Sequence, residues 1–159
     1  MRQPYRPDLP VELPDAYLLP ECRARIELVA ESHARLIGRP LVAQADDMVT
    51  ALWHAPFAIL AHGTGNDPEF FFGNRAALAA FETIVGNFIG MPSRLSAEAP
   101  WRAERQALLD RVSANGFIDD YSGIRISASG RRFRIEHAVV WNLIDGTGAL
   151  HGQAATFAI

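Results

Sequence analysis

His62 is the residue in this sequence best placed to do chemistry. It follows the apolar run at 57–61 and opens a loop dense in turn formers, and Asp67 lies in the same loop. A histidine beside a carboxylate near a cleft can transfer protons or change its charge near neutral pH. Loop histidines are more often held by nearby backbone, so the purely structural interpretation is the more frequent one.

Asn74 is a second candidate. It lies between the aromatic run EFFFG at 69–73 and an alanine-rich segment. Its amide could hydrogen-bond a ligand, but an asparagine in this position more often caps the following helix by accepting a bond from a free backbone N–H. We therefore predict a helix over NRAALAAFETIVGNF with Asn74 as its N-cap.

The sequence contains no recognisable motif for metal or nucleotide chemistry. Its 5 histidines show no pair spaced i, i+4, and its single cysteine, Cys22, has no partner. Patterns of the G-x-S-x-G, P-loop and G-x-G-x-x-G types do not occur. We predict no metal site and no catalytic residue, and we leave the cofactor unassigned.

Length and composition predict one globular domain. The chain has 159 residues, of which 49% are hydrophobic and 21% charged. A net charge of −3 does not favour nucleic-acid binding. No run approaches the ~20 apolar residues of a membrane span, and the first residues lack the apolar segment of a signal peptide. We expect a cytoplasmic protein with neither a membrane nor a nucleic acid as partner.

The N-terminal half reads as an arm, two helices and a hairpin. Prolines recur through residues 1–20, which predicts an extended arm. Apolar residues at helical spacing predict helices at 21–37 and 45–54. Strands are predicted at 57–61 and 69–73, joined by the turn-rich loop.

The C-terminal half reads as a helix followed by three strands. A loop at 90–100 leads to a helix at 101–114, which Gly116 ends. The remaining segments are separated by short turns, and polar and apolar residues alternate in the middle one, which predicts an antiparallel meander.

Four segments, correctly spaced and in this order, carry a resemblance to a known family. They are ALWHAPFAILAHG at 51–63, DPEFFFGNRAALAAFE at 67–82, GFIDDYSGIRIS at 116–127 and SGRRFRIEHAVVWNLID at 129–145. These segments resemble the MEKHLA family, a PAS-like domain, and the resemblance extends over 21–159. MEKHLA domains occur alone in bacteria and at the C-terminus of plant homeodomain–leucine-zipper factors, and we expect the stand-alone bacterial form here.

The resemblance implies an α+β fold and a ligand pocket. The expected sheet is five-stranded and antiparallel with strand order 2-1-5-4-3. Helices cover one face, and further helices lie N-terminal to the sheet. The pocket is expected between the sheet and its helices, and a proline-rich arm at 1–20 would precede a single MEKHLA/PAS-like domain at 21–159.

Several side chains are then expected on the pocket wall. In the middle strand His137 shares its parity with Phe133 and Trp141, which places it on the pocket face, although such a histidine is more often a core residue. Tyr121 and Trp141 offer flat surfaces for stacking, and Gln153 offers a polar anchor. The full set of ligand-binding candidates is His62, Asn74, Tyr121, His137, Trp141 and Gln153.

Two arginines and the cysteine complete the candidates. Arg94 and Arg102 flank the segment that leads into the long helix, where either could hold an anion through its planar guanidinium, although a solvated arginine is the usual case. Attachment of a flavin through Cys22 is disfavoured, because Cys22 belongs to the N-terminal helix, away from the expected pocket.

Three functions are compatible with the sequence. The favoured one is a sensory or small-ligand-binding module that acts through homodimerisation or an unidentified protein partner, and not an enzyme. The second is a ligand-free interaction module whose arm and first helix mediate a dimer. The third is a small enzyme on a nuclear-transport-factor-like cone using His62 and Asp67, and the early hairpin weighs against it.

Overall fold

A five-stranded antiparallel sheet organises the protein, seen in a computed structural model that describes residues 9–159 except for the side chains of 99–101. Its strands run in the order β2-β1-β5-β4-β3. They are β1 Ala58–His62, β2 Phe70–Gly73, β3 Phe117–Ile126, β4 Arg132–Ile144 and β5 Leu150–Phe157. The predicted hairpin and meander therefore join edge to edge through β1 and β5, which confirms the predicted PAS-like sheet and excludes the alternative cone.

Three helices lie on one face of the sheet. They are α3 Arg75–Ala80, α4 Val85–Phe88 and α5 Ala99–Asn115, which is preceded by a 3₁₀ turn at Ser93–Ser96. Helix α3 packs on β1, α4 on β2 and α5 on β3 and β4. Most of the functional geometry described below lies between this face and α5.

The continuous helix predicted from Asn74 to Phe88 is wrong. The chain leaves helical geometry after α3, and Glu82 has φ 55°, a left-handed conformation that interrupts a helix. The buried carboxylate of Glu82 accepts hydrogen bonds from the hydroxyls of Ser127 and Ser129 and from Nε of Arg131. Tertiary contacts with the β3–β4 turn thus outweigh the helix propensity of this segment.

The first helix covers the opposite face of the sheet. Helix α1 runs over Pro20–Ile37 and packs on β4. Trp141 is fully buried there, and its Nε1 donates to the carbonyl oxygen of Val29 at 3.1 Å. Its ring packs edge-on against the ring of His33, with the two ring centroids 4.9 Å apart. The sheet is therefore enclosed by helices on both faces.

The second helix is shorter than predicted. Helix α2 covers Met48–His54 and packs against α1 and α3. Asp47 caps it, accepting from Thr50 N at 3.2 Å, and Arg23 binds the same carboxylate at 2.7 Å. The cap explains why the helix begins at Met48 and not at residue 45.

Residues 9–19, within the predicted arm, pack on the domain. Tyr17 is 1% exposed and its hydroxyl donates to the carbonyl oxygen of Gly73 at 2.9 Å. Its ring contacts Phe72 and Trp53. Tyr5 and its neighbours lie outside the described residues, so the boundary between an arm and the domain at residue 20 stays a prediction.

Candidate functional site

The central cavity lies between the sheet and α5. It has a volume of about 50 Å³ and is bounded by side chains from β1, β3, β4, β5 and α5. Most of its wall is apolar. Its polar side chains are His62, Ser96, Arg105, Tyr121, Arg125 and Gln153.

His62 ends β1 and contributes an imidazole to the cavity. The side chain is 8% exposed, and Nδ1 lies 2.9 Å from the carbonyl oxygen of Gly63. Nδ1 therefore carries the proton and donates this bond, which leaves a lone pair on Nε2. Among the described residues, Nε2 is the one buried side-chain N or O atom without a hydrogen-bond partner. Burial, with a smaller contribution from the charge of the nearby Arg105, lowers the pKa of His62 to about 4.

Arg105 brings a buried positive charge from α5. It is 8% exposed, and Nη2 donates to the Ser93 hydroxyl at 2.7 Å. Burial lowers the pKa of its guanidinium to about 10, with a further contribution from the charge of Arg125. Two cations therefore lie close together on the cavity wall.

Arg125 and Tyr121 come from β3 as a pair. The Arg125 guanidinium lies over the Tyr121 ring, 5.4 Å from its centroid, and Nη2 donates to the Tyr121 hydroxyl at 3.2 Å. Both side chains are buried and both line the cavity. The arrangement is a cation–π contact that supports the guanidinium without neutralising it.

Gln153 closes the cavity on β5. Its Nε2 donates to Leu109 O, Ser113 Oγ and Asn142 Oδ1 at 3.1–3.2 Å. These bonds attach β5 to α5 and β4. Gln153 thus lines the cavity as expected, with its amide nitrogen engaged in holding the wall together.

An outer groove lies beside the cavity. It has a volume of about 280 Å³ and lies between the loop at 63–68 and α5. His62, Arg105, Leu109 and Gln153 border both the groove and the central cavity. The groove and the cavity are therefore neighbours separated by these side chains.

His137 and Trp141 do not lie where the alternation pattern placed them. Cross-strand pairs run Tyr121↔Ala138 and Gly123↔Ile135, so β4 holds an extra residue between Ile135 and Ala138. This bulge lies at His137, which has φ 53° and is exposed. Beyond the bulge, even-numbered residues such as Val140 face the cavity, where odd-numbered residues such as Ile135 did before it. Trp141 therefore faces α1. The predicted positions of both side chains on the pocket wall were wrong because a bulge reverses the side-chain faces.

Asn74 also lies away from the cavity. It is fully buried, Oδ1 accepts from Ile59 N and Ala77 N, and Nδ2 donates to the carbonyl oxygens of Leu52 and Phe57. The bond to Ala77 N is the predicted helix cap. Every hydrogen-bonding group of this amide has an internal partner, so the pocket assignment for Asn74 is not supported.

The structure does not bring His62 and Asp67 together as a pair. The Asp67 carboxylate binds Nε of Arg94 at 3.0 Å on the surface, whereas His62 binds backbone. Arg94 borders only the outer groove, and Arg102 donates to Ala97 O at 3.2 Å. Neither arginine singled out from the sequence lines the central cavity.

The arginines that do line it were missed. Arg105 lies at helical spacing from Leu108 and Val112, two buried residues, and this spacing was a signal for a cavity-facing position. Arg125 gave no such signal. It alternates with Ile124 and Ile126, which predicts a solvated arginine opposite an apolar face, but the structure buries it.

Acidification is expected to destabilise the protein through His62. In the unfolded chain this histidine takes up a proton near its ordinary pKa of 6.5, whereas the folded pKa is about 4, so the unfolded state binds more protons between these values. Stability should therefore fall as pH drops from about 6.5 towards 4, by up to about 3 kcal/mol from this residue. Urea unfolding at a series of pH values measures the slope.

The variant His62→Asn keeps a donor for Gly63 and should flatten that slope. Burial also lowers the pKa of His33, so part of the pH dependence should persist in the variant. Equal slopes for the variant and the unmodified protein would contradict the assignment to His62.

Neither a membrane span nor a metal cluster occurs within the part of the chain that the structure describes. No helix there has the length and apolarity required to cross a bilayer. Nor do three or more histidine, cysteine, aspartate or glutamate side chains converge there in a geometry suited to a metal ion.

The sheet order and the cavity between sheet and helix define a PAS-like domain. Comparison with solved structures agrees. An RNA-binding light-oxygen-voltage receptor superposes with TM-score 0.60 at 16% identity, over 69% of this chain and 31% of that one. The light-state dimer of the fungal blue-light photoreceptor Vivid superposes with a TM-score of 0.56 at 12% sequence identity, over 81% of this chain and 92% of that one. The PAS domain of a LuxR-family regulator from Burkholderia thailandensis, in complex with ethanol, superposes with a TM-score of 0.51 at 24% sequence identity. This match covers 68% of this chain and 92% of that one.

The sequence profile of the MEKHLA domain matches residues 23–159, so the chain belongs to the MEKHLA domain family. A similar curated protein is the homeobox-leucine zipper protein HOX29 of Oryza sativa subsp. indica, 26% identical over 135 residues. The match covers 81% of this chain and 16% of HOX29, so the chain spans about a sixth of that protein's length.

Proposed function

We infer that the chain is a sensory module that binds a small molecule in the central cavity. The observation that supports this most directly is His62, a residue that lines the cavity and whose buried acceptor Nε2 has no partner among the described residues. Buried polar atoms of folded proteins are nearly always hydrogen-bonded, and unpaired ones cluster where a ligand or ordered water binds. The outer groove also borders His62, and we propose it as the route of entry.

The cavity favours a small ligand over a large planar cofactor. Its volume of about 50 Å³ is far below the roughly 300–1,000 Å³ of sites for drug-sized ligands. The complex of the Burkholderia PAS domain with ethanol is an example of a ligand of this size in the same fold. Cys22 lies on α1, outside the cavity lining, which disfavours a covalent flavin.

The module is proposed to signal by association and not by catalysis. His62 and Asp67 each bind another partner, so the acid–base pair of the enzyme hypothesis has no support in the structure. Val11, Leu18 and Leu19 are exposed apolar residues of the segment that precedes α1, 46–68% accessible, and we propose this segment as the contact with a second copy or a partner protein. Vivid is described as a dimer in its light state, and we extend homodimerisation to this chain as a proposal. A cytoplasmic location belongs to the same proposal.

Filling the cavity should abolish ligand binding. Val140 lines the cavity, and its neighbour Val139 faces the other side of the sheet, so Val140→Phe and Val139→Phe form a matched pair. Native mass spectrometry of freshly purified protein and thermal shifts across a panel of metabolites would identify a ligand. We expect Val140→Phe to lose the shift and a folded Val139→Phe to keep it. An empty protein with no shift from any compound would refute the function.

A further inference from the structure

The central cavity contains two arginines that no carboxylate neutralises. Arg105 and Arg125 are each 8% exposed. No aspartate or glutamate lines the central cavity. Within the described part of the chain, the arginines that form ion pairs are five others, all closer to the surface: Arg23, Arg94, Arg131, Arg132 and Arg134.

Most N–H groups of these two guanidiniums remain available. A guanidinium has five donors in a planar fork. Arg105 uses Nη2 for the Ser93 hydroxyl, and Arg125 binds the carbonyl oxygen of Ile124 and the Tyr121 hydroxyl. All three partners are neutral. The fork geometry matches a carboxylate, which accepts two parallel bonds.

Electrostatics in the cavity favour a negative ligand. A buried charge is costly unless it is paired. The lowered pKa of Arg105, caused first by burial and then by Arg125, reflects this cost in the ligand-free protein. An anion bound between the two guanidiniums would offset both their desolvation and their mutual repulsion.

The remainder of the wall restricts the size and chemistry of that anion. The cavity volume corresponds to roughly four water molecules at 10–15 Å³ each. Leu108 and Val140 offer apolar contact, and Nε2 of His62 accepts a bond from a hydroxyl or a water. The combination of a cationic pair and an apolar wall suits a short carbon chain that ends in a charged group.

We propose that the central cavity binds a small organic carboxylate, with its carboxylate between Arg105 and Arg125 and its carbon chain against Leu108 and Val140. The proposal rests on the proposed function and identifies the class of ligand for it. It excludes neutral and cationic compounds as the cognate class, and it excludes inorganic oxyanions, which have no apolar part.

The first experiment uses the unmodified protein. Carboxylates of two to six carbons, each paired with its amide, are compared by thermal shift at constant ionic strength, with inorganic phosphate as the oxyanion control. At 100 times its Kd, a cognate carboxylate should raise Tm by roughly 5–10 °C, whereas its amide and phosphate should not. Equal shifts for carboxylate and amide, or an equal shift with phosphate, would overturn the proposal.

Substitutions of the two arginines then test whether their charges bind the carboxylate. Arg105→Gln and Arg125→Gln should lose at least tenfold in carboxylate affinity by isothermal titration, while Arg102→Gln, on the same helix as Arg105 but outside the cavity, should bind as before. The ligand-free Arg105→Gln protein should melt at an equal or higher temperature, because an unpaired buried charge has been removed. A lower Tm with unchanged affinity would show that Arg105 is structural.

The outcomes separate this proposal from the proposed function. If neutral compounds bind in the cavity and carboxylates do not, the ligand class is wrong and the sensory function stands. If no compound of either panel binds, both fail. Should an arginine variant not fold, the comparison of carboxylate with amide still decides the ligand class.

Discussion

Gly152→Ala is expected to lower the free energy of unfolding by at least about 3 kcal/mol. Gly152 has φ 140°, and a Cβ at this position would overlap the carbonyl oxygen of His62 and reach within 3.0 Å of the Gly63 Cα. These are backbone atoms at the end of the neighbouring strand β1, so no side-chain rotation can relieve the clash. The close approach of β5 to β1 also positions His62 beside the cavity, so the substitution should disturb the site as well as the sheet.

Gly148→Ala is the matched control. Gly148 also has a positive φ, of 87°, but no atom lies within 4 Å of the position that its Cβ would occupy. Only the backbone strain of a left-handed alanine remains, which costs about 1 kcal/mol. Urea unfolding monitored by tryptophan fluorescence and by circular dichroism measures both variants. Equal stability of the two would disprove the close approach between β5 and β1.

Asn74→Ala should destabilise the protein by roughly 3–4 kcal/mol, because it removes a helix cap and leaves buried backbone groups without partners. The amide joins three elements of the chain and the segment before β1: it binds Ile59 in β1, Ala77 in α3, Leu52 in α2 and the carbonyl oxygen of Phe57. Asn74→Ser keeps an oxygen able to cap α3 but loses both donated bonds, so its loss should be intermediate. The same unfolding measurements rank the variants.

Asn87→Ala controls for the loss of an asparagine as such. Asn87 is exposed on α4, and its replacement should change stability by less than about 0.5 kcal/mol. Because Asn74 lies outside the cavity, a folded Asn74→Ser protein should still show the thermal shift with ligand. Loss of that shift in a folded variant would place Asn74 in the site, and a mild effect of Asn74→Ala would contradict its structural role.

The architecture was predictable because its signals are local. Turn-rich segments, apolar runs and N-cap residues mark where strands and helices begin and end, and they predicted the five strands. The order of these strands in the sheet was implied by the family resemblance, and the structure confirms it. Where the prediction of α3 was wrong, the cause was a long-range contact. Glu82 is far along the chain from Ser127 and Ser129, and their hydrogen bonds interrupt an otherwise favourable helical segment.

The candidate site was only partly predictable. His62, Tyr121 and Gln153 line the cavity, and their role in binding a ligand stays a prediction. His137 and Trp141 were misplaced, because period-two alternation cannot reveal a bulge in which one strand gains a residue relative to its partner. Asn74 was assigned correctly as a cap and incorrectly as a pocket residue.

The sequence by itself determined the element order, the early hairpin, the C-terminal antiparallel meander and the family, since each depends on patterns within short segments of the chain. Only the tertiary structure decided that Arg105 and Arg125 meet in one cavity without a carboxylate. An arginine on a helix or strand has the same local signature whether it is solvated or buried. Its role is set by which charges the remainder of the chain brings beside it, and here the chain brings another arginine, a tyrosine and a neutral histidine.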